Sequence, residues 1–308
     1  MKIAITGATG FIGSRLVEKL SLNHHEIIVL TRNSTTAFKR FPKEKFPKIN
    51  IIEYEPTKSG DWQQAISGCD AVVNFAGEPI AERWTATYKQ AILESRQLVT
   101  RKLVEAIHQA TIKPKVLVNA SAIGYYGTSE TQTFTETSPA AQDFLAQVCQ
   151  TWEAEAKKVE NAGVRLAIVR IGIVLGNGGA LAKMLPPFKL FAGGPIGNGR
   201  QWFSWIHRDD LVSLIETILE NPQLEGVFNG TAPNPVRMAE LSQVLGEVLN
   251  RPSWLPVPNL ALELLLGEAA KVVLEGQQVL PKRAEAANFY YQYPAVKEAL
   301  QEILSSMG

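Results

Sequence analysis

The residues that decide the fold are "KIAITGATGFIG", positions 2–13. The run "KIAIT" is typical of a buried strand, and the glycines behind it, Gly7, Gly10 and Gly13, are spaced G-x-x-G-x-x-G. In that context Gly7 permits a tight turn, Gly10 lets the backbone approach a pyrophosphate, and Gly13 lets the next helix pack closely on the strand. The helix N-terminus then offers amide hydrogens to the anion. The stretch therefore predicts a strand–turn–helix unit that binds a dinucleotide.

The end of the next strand, "VLTRN" at 29–33, indicates which dinucleotide. NAD sites usually carry an acidic residue there to hold the ribose 2′-hydroxyl, whereas this chain has Thr31 and Arg32. A guanidinium matches a 2′-phosphate, so NADP(H) is the expected cofactor. The alternative is that Arg32 is a solvated charge, because the loop that follows it is also basic.

Apolar runs alternate with helical patterns through the first two-thirds of the chain. Near-continuous Val, Ile and Leu are typical of parallel strands covered on both faces, so the alternation predicts a doubly wound α/β sheet of the Rossmann type. The predicted strands are 2–7, 26–32, 50–55, 71–77, 115–122, 165–176 and 226–231, and the longest helical patterns are Trp84–His108 and Ser138–Asn161.

The alternation of strand and helix patterns ends after Gly176, where a segment rich in Gly and Pro begins. We expect an NADP-binding Rossmann domain over 1–176, with its sheet completed by about 201–232. A smaller C-terminal substrate or cap domain then takes 177–200 and 233–308. The cleft between the two parts should lie near the carboxyl ends of the strands, where doubly wound folds bind ligands.

Composition narrows the classes of function. A net charge of +1 over 308 residues gives no reason to expect nucleic acid or an acidic membrane surface as a partner. Two cysteines and four histidines, without a ligand spacing such as HExxH, argue against a disulfide framework and a metal site. The chain opens directly on a strand, and its apolar runs are too short to span a bilayer, so we expect a cytoplasmic protein.

These motifs resemble those of the short-chain dehydrogenase/reductase superfamily, in its extended branch of NAD-dependent epimerases and dehydratases. The resemblance runs through the whole chain and is carried by "TGATGFIG" (6–13), "NFAGEP" (74–79), "NASAIGYYG" (119–127) and "IGNGRQWFSWIHRDDL" (196–211). Within this branch, the chain most resembles an atypical subgroup called epimerase family proteins, which carry a C-terminal domain of unknown function. Plant and cyanobacterial members of that subgroup have been linked to plastid or cell division.

The resemblance implies further cofactor contacts besides the glycines, Thr31 and Arg32. They come from the turn itself, from the loop after the fourth strand and from the end of the sixth strand. These residues are Thr9, Phe11, Ile12, Ala76, Gly77, Glu78, Arg83, Gly172 and Ile173. Glu78 and Arg83 are also explained as ordinary loop charges.

The helix after the serine segment departs from the family pattern. Typical members place Tyr and Lys there at i and i+4, whereas this chain has Cys149 and Glu153 in "FLAQVCQTWEAEA". A carboxylate one turn away should raise the pKa of the thiol and repel a cofactor phosphate. The alternative is a buried, inert cysteine on an apolar helical stripe, with Glu153 on the solvated edge of that stripe.

Without the Tyr–Lys pair, a catalytic site would have to use Ser121, which the resemblance places at the position of the family's catalytic serine. Ser121 would polarise the substrate, and Tyr125 or Tyr126 would pass a proton. The alternative is that both tyrosines are packing aromatics beside a glycine turn.

The distal cleft offers candidate substrate contacts. Arg200, Arg237 and Arg283 are expected to clamp the diphosphate of a nucleotide sugar. His207 could face the same substrate, although a structural role explains it as well.

Two functions remain open from the sequence. The first is an NADP(H)-dependent oxidoreductase or epimerase that acts on a small carbonyl or nucleotide-sugar substrate. The second is an NADP(H)-binding regulatory or scaffold protein without catalysis, and either could form a homo-oligomer. Exposure of Trp202, Phe203 and Trp205 would favour a partner surface, whereas burial of those rings over a pocket would favour a substrate.

Overall fold

A computed structural model describes residues 1–307, and its centre is a seven-stranded parallel sheet. The strands in chain order are β1 Lys2–Thr6, β2 Glu26–Thr31, β3 Ile49–Glu53, β4 Ala71–Asn74, β5 Val116–Ala122, β6 Thr133–Phe134, β7 Arg165–Ile171, β8 Ile173–Leu175, β9 Trp202–Phe203, β10 Trp205–His207, β11 Gly226–Gly230, β12 Val236–Arg237 and β13 Gln278–Val279.

Helices connect these strands. They are α1 Phe11–Leu22, α2 Ser34–Arg40, α3 Ala86–Gln109, α4 Phe144–Lys157, α5 Gly179–Lys189, α6 Arg208–Glu220, α7 Met238–Leu249, α8 Asn259–Leu266, α9 Lys271–Leu274, α10 Lys282–Ala286 and α11 Val296–Ser305. Short 3-10 turns occupy Asp61–Ile66, Ile123–Tyr126, Lys158–Ala162 and Gly267–Ala270.

The order of the large sheet is β11-β7-β5-β4-β1-β2-β3, with every neighbouring pair parallel. The strand sequence runs outward from β1 in both directions, so the order reverses between β1 and β4. This is the doubly wound Rossmann arrangement, which confirms the predicted fold class. Its ligand site is expected at the carboxyl ends of the strands beside that reversal.

Alternate residues of the central strands enter opposite cores, as a sheet covered on both faces requires. Ile3 and Ile5 of β1 pack with α1 and α6 on one face. Ala4, between them, packs with α3 on the other face. The near-continuous apolar strands of the sequence are therefore explained by burial on both sides.

A third buried cluster forms around the C-terminal helices. Trp205, Leu245 and Leu300 are fully buried where β10, α7 and α11 meet, and α5 packs against the same cluster. Three two-stranded sheets, β8–β10, β9–β12 and β6–β13, connect this region to the segments around it.

The prediction of one continuous strand over 165–176 is wrong, because the strand breaks at Gly172. β7 belongs to the large sheet, whereas β8 leaves it and pairs with β10. The Ile173 N–H donates to the carbonyl of Ser204 at 2.9 Å. A Cβ on Gly172 would lie 2.5 Å from that carbonyl oxygen, so the chain changes sheets only where residue 172 has no side chain.

Among residues 1–307, no helix combines the length and the apolar character needed to cross a membrane.

Candidate functional site

The backbone of the glycine turn requires glycine. Gly7 has a φ of +65°, and a Cβ there would lie 2.8 Å from the backbone carbon of Phe75. A Cβ on Gly13 would lie 2.3 Å from the carbonyl oxygen of Gly7, so α1 packs on the turn only because residue 13 lacks a side chain. The Gly10 N–H donates to the same carbonyl at 3.0 Å and closes the turn.

The N-terminus of α1 can receive an anion. Gly10 is its N-cap, and within residues 1–307 no side chain caps the first turn. The Arg208 guanidinium lies 4.9 Å from the centroid of the Phe11 ring, and its Nε is buried with no hydrogen-bond partner in the described part of the chain. Burial lowers the pKa of Arg208. A pyrophosphate at the turn fits this unpaired donor and the helix N-terminus together.

Sequence analysis missed Arg208 because its position depends on the packing of α6 against α1. Arg15 of α1 holds the two helices together, with Nε donating to Asp209 Oδ1 at 2.7 Å and Nη2 to Asp209 Oδ2 at 2.9 Å. Two adjacent acids after a basic residue, "RDD" at 208–210, mark the start of α6 in the sequence. Nothing in that pattern indicates which distant helix the arginine meets.

The residue that follows β2 forms an ion pair with the loop after β4. Thr31 is buried, whereas the side chain of Arg32 is 70% exposed and its Nη1 donates to Glu78 Oε1 at 2.9 Å. Asn33 accepts the Thr36 N–H at 2.9 Å and caps α2. The structure thus brings Arg32 and Glu78 together, and the choice of cofactor through Arg32 stays a prediction.

The loop after β4 lies between the glycine turn and α3. Its Ala76 N–H donates to Thr6 Oγ1 at 3.3 Å, at the end of β1. A Cβ on Gly77 would lie 3.0 Å from Cζ of Arg96, so the loop passes closely over that guanidinium. Arg83 lies apart from this group, because its Nη1 donates to the carbonyl of Leu264 in α8 at 2.9 Å.

A cavity of about 510 Å³ lies at the carboxyl ends of β5 and β7. It is bounded by α4 and by the segment 268–277, and Gly172 and Ile173 line it at the break between β7 and β8. Trp202 lines it too, whereas Phe203 and Trp205 are buried in the adjoining core. None of these rings forms an exposed patch, which favours a substrate pocket over a partner surface here.

A buried ion pair includes Glu153, the residue at the position expected for the lysine of the Tyr–Lys pair. Arg170 Nε and Nη2 each donate to Glu153 at 2.8 Å, and the side chains are only 4% and 3% exposed. Burial opposes the charge of Arg170, but the hydrogen bonds and charge of Glu153 outweigh it and raise the pKa of the guanidinium. The placement of Glu153 on a solvated edge is therefore wrong: Arg170 neutralises it, which also removes the expected repulsion of a cofactor phosphate.

Ser121 and Tyr126 are part of the same network. The Ser121 hydroxyl donates to Glu153 Oε1 at 2.7 Å. The Tyr126 hydroxyl accepts from Arg170 Nη1 at 3.0 Å and donates to Asn229 Oδ1 at 2.7 Å, and burial raises its pKa to about 12. Both hydroxyl protons are therefore already engaged within the protein.

Tyr125 and Arg170 are stacked. The Arg170 Cζ lies 3.3 Å from the centroid of the Tyr125 ring, and that ring meets Tyr126 edge to face. Neither tyrosine lines the cavity, and their catalytic roles stay predictions. Arg170 was also not recognised from the sequence. The strand "RLAIVRI" carries one charge at its first residue and a second, Arg170, among apolar residues, and the second is a signal for a buried partner.

Cys149 is buried, as the apolar stripe predicts, and it forms part of the cavity wall. Its thiol donates to the carbonyl of Ala122 at 3.6 Å. Burial, followed by the charge of Glu153, raises its pKa to about 11, so the thiol is protonated at neutral pH.

The distal arginines contact other residues of the protein. Arg200 donates to Glu130 at 2.8 Å, Arg237 stacks on Trp202 with its Cζ 3.8 Å from the ring centroid, and Arg283 donates to the carbonyl of Val227 at 2.9 Å. None of the three arginines lines the cavity, and a diphosphate clamp made from them stays a prediction.

His207 is a structural residue of α6. It is 3% exposed, and its Nδ1 accepts the N–H of Asp209, which caps the helix. Its Nε2 lies 3.0 Å from Glu302 Oε2, and its ring packs on Tyr293. These contacts match the structural alternative stated for it.

Only one cluster in the described residues has metal-ligand spacing. His25, Glu216 and Glu220 bring one ligand atom each within 4.8 Å of the others. Glu216 already accepts from Asn23 and lies 3.3 Å from Lys19 Nζ. The protein's own donors therefore already engage Glu216.

Two family models match the chain. The model of the NAD-dependent epimerase/dehydratase family covers residues 3–229, and that of a domain of unknown function, DUF1731, covers residues 257–303.

The chain is also similar to individual proteins. It is 54% identical to an Arabidopsis thaliana protein, "Epimerase family protein SDR39U1 homolog, chloroplastic", over 99% of this chain and 87% of the relative. It is 39% identical to the Bacillus subtilis epimerase family protein YfhF, over 99% of this chain and 98% of the relative. The crystal structure of human epimerase family protein SDR39U1 with NADPH has 35% identity and a TM-score of 0.86, and the match covers 99% of both chains.

Proposed function

This chain belongs to the NAD-dependent epimerase/dehydratase family, and we propose that it is an NADP(H)-dependent oxidoreductase acting on a small carbonyl compound. The observation that carries the proposal is the cavity of about 510 Å³ beside an intact dinucleotide turn. Ligands of doubly wound folds bind at this edge of the sheet, and cavities of this size hold small molecules.

The preference for NADP(H) rests on two supports. Arg32 offers an exposed guanidinium at the end of β2, and the similar human protein was crystallised with NADPH. The glycine turn and Arg208 would hold the pyrophosphate, and Gly172 and Ile173 would pack against the nicotinamide. When bound, this cofactor supplies a hydride to a carbonyl carbon or accepts one from an alcohol.

The chain's own residues must orient the carbonyl and return a proton to its oxygen. Cys149 holds a proton at neutral pH in the cavity wall, at the helix position where related enzymes carry tyrosine. We assign the proton transfer to this thiol. Ser121 donates its own proton to Glu153, and the carbonyl of the next residue, Ala122, accepts the Cys149 thiol and orients it.

A nucleotide sugar is a weaker candidate substrate. Its diphosphate carries two negative charges and calls for a converging set of cations. The three arginines expected to supply that set contact Glu130, Trp202 and Val227, and none of the three arginines lines the cavity.

The experiment is an activity screen against a small-molecule extract. The purified protein is incubated with NADPH or NADP⁺ beside a heat-killed control, and the metabolites are separated by chromatography with mass detection. We expect a carbonyl compound to disappear and a product heavier by two hydrogens to form. Turnover should fall by at least about 100-fold in Cys149→Ala, a typical share for one acid–base group, with little change in NADPH affinity. No changed metabolite, in a sample that binds NADPH, would contradict the proposal.

A specific observation favours the second candidate, an NADP(H)-binding regulatory protein. Leu260, Leu264 and Leu265 of α8 are 65%, 70% and 67% exposed. An apolar helix face of this kind is typical of an interaction surface. If that function holds, replacing these leucines with serine should abolish binding of a protein partner while leaving NADPH affinity unchanged; a catalytic protein would keep its turnover in the same variant.

A further inference from the structure

Arg96 places a guanidinium in the wall of the cavity. It projects from α3, where its Nη1 donates to the carbonyl of Ile92 at 3.1 Å and its Nη2 to the carbonyl of Glu78 at 3.0 Å. Its Cζ lies 5.2 Å from the centroid of the Trp152 ring. The side chain is therefore held in one orientation by neutral partners.

No carboxylate neutralises Arg96. Within residues 1–307, no Asp or Glu oxygen lies within 4.0 Å of its nitrogens. Burial lowers its pKa, which reflects the unfavourable desolvation of the charge. A desolvated cation without a counter-ion destabilises the folded protein. A ligand that brings an anionic group to Arg96 would remove this unfavourable energy, so the site is suited to an anionic ligand.

The other charges near the cavity are already engaged or lie at its rim. Lys89 pairs with Glu268, and Asp143 accepts the N–H of Ala146 as the cap of α4. Glu275 accepts the hydroxyl of Thr128 at 2.8 Å, and Lys271 is exposed. Arg96 is thus the cation that faces the cavity from within.

The rest of the wall is largely apolar and rich in aromatic rings. Trp84 and Phe144 meet edge to face with their centroids 5.2 Å apart, and Trp152, Trp202 and Ile173 line other parts of the wall. These rings would contact the body of a ligand whose charge lies at one end.

We propose that the cavity binds an apolar, preferably aromatic, monocarboxylate, with its carboxylate on Arg96 and its ring among Trp84, Phe144 and Trp152. The guanidinium can donate two parallel hydrogen bonds to a carboxylate. This inference rests on the proposed function in one respect: if the protein is an oxidoreductase, its substrate is a monocarboxylate of this kind that also carries a reducible carbonyl.

The anion on Arg96 could also be a phosphate of the cofactor, because the loop at Gly77, an expected cofactor contact, lies over the guanidinium. The lining of the cavity argues against that. The glycine turn and Phe11 do not line the cavity, whereas Cys149 and Trp152, beside Arg96, do. The test below separates the two sources by measuring NADPH and carboxylate affinities in the same variants.

The experiment is calorimetric titration of the full chain saturated with NADPH. The probes are phenylacetate, its uncharged counterpart phenylacetamide, and UDP-glucose. We expect phenylacetate to bind at least about 10-fold more tightly than phenylacetamide, since one charge-assisted contact is worth that factor. Arg96→Gln should remove this difference, and Arg96→Lys should keep part of it.

The control variant is Arg101→Gln, which removes an arginine of the same helix, α3, outside the cavity and should leave all three affinities unchanged. NADPH affinity and thermal stability are measured for every variant, so that a folding defect in Arg96→Gln is recognised and Arg96→Lys then decides. Equal binding of acid and amide, tighter binding of UDP-glucose, or a loss of NADPH affinity in Arg96→Lys would overturn the proposal. The probes carry no reducible carbonyl, so their binding is measured independently of turnover. Carboxylate binding together with no changed metabolite in the extract screen would contradict the oxidoreductase function and leave this inference standing.

Discussion

The glycine turn and the Glu153–Arg170 pair lie at carboxyl ends of strands in one sheet, but they are constructed in different ways. The turn is made of backbone, and its key contacts join Gly7, Gly10 and Gly13, residues close in sequence. The ion pair is made of side chains from α4 and β7, and its network reaches Asn229 in β11. The glycine turn therefore follows a local sequence pattern, whereas the ion pair is a tertiary arrangement of residues that are distant in sequence.

The largest effect should come from breaking the tertiary arrangement. Arg170→Met leaves Glu153 buried without a counter-charge, so we expect the free energy of unfolding to fall by about 3–5 kcal/mol. The measurement is denaturant unfolding at neutral pH. Arg101→Met is the matched control, because the carboxylate of its buried partner Glu155 keeps a second ion pair with Lys158; its effect should be clearly smaller than that of Arg170→Met.

A double variant tests whether the loss of stability comes from the unpaired carboxylate of Glu153. Replacing both partners, Glu153→Leu with Arg170→Met, should restore most of the lost stability, because no charge is then left buried. Wild-type stability in the single Arg170→Met variant would show that the carboxylate is not held as the structure has it.

Disrupting the glycine turn should destabilise the protein less than disrupting the ion pair, but it should weaken NADPH binding more. Gly13→Ala places a methyl group 2.3 Å from the Gly7 carbonyl oxygen, an overpacking that we expect to cost about 1–3 kcal/mol. The turn must shift, so NADPH affinity should fall by at least about 10-fold. Fluorescence titration with NADPH and denaturant unfolding measure the two effects.

Gly60→Ala is the control for that variant. Its φ of 179° suits any residue, and the nearest atom to an added Cβ lies at 3.4 Å, an ordinary contact. Equal NADPH affinity in Gly13→Ala and Gly60→Ala would mean that the glycine turn does not bind the cofactor.

This difference also explains how much could be predicted from the sequence. Gly7, Gly10 and Gly13 were recognisable because a fixed spacing imposes a fixed backbone path, and the apolar strands followed from burial on two faces. The sheet order and the buried position of Cys149 agree with that analysis.

The rest depended on partners that are distant in sequence. Glu153 looks like a surface residue until Arg170 is known to face it, and Arg208 reaches the turn only through the packing of α6 on α1. The strand break at Gly172 likewise follows from the carbonyl of Ser204 across the chain. A single sequence shows the residue types in such pairs but not which of them meet.

The effect that is smallest at neutral pH concerns Cys149, because its thiol titrates only in alkaline solution. Burial raises the pKa of Cys149 from about 9 to about 11, so the folded state keeps a proton that the unfolded state loses within that window. Stability should therefore be fully present below about pH 9 and should fall as the pH rises towards 11, by up to about 1.4 kcal/mol per pH unit for this thiol. Unfolding measured across that range should show a shallower fall in Cys149→Ala.

Cys69 provides the comparison, because burial raises its pKa to about 11 as well, and it lies away from the cavity. Cys69→Ala should flatten the profile to a similar degree while leaving turnover intact, whereas Cys149→Ala should lose turnover too. Parallel profiles for wild type and Cys149→Ala would place the thiol in a more solvated environment than the structure shows.

The most direct test of the central claim follows a hydride from the cofactor into a carbonyl compound. The full chain is incubated with NADPH that carries deuterium on the transferable position of the nicotinamide, together with a small-molecule extract, and the products are analysed by mass. We predict deuterium on carbon in an alcohol that carries a carboxylate and an apolar body, with loss of that signal in Cys149→Ala. Absence of deuterium from every product, in a sample that binds NADPH, would contradict the account and favour a regulatory protein.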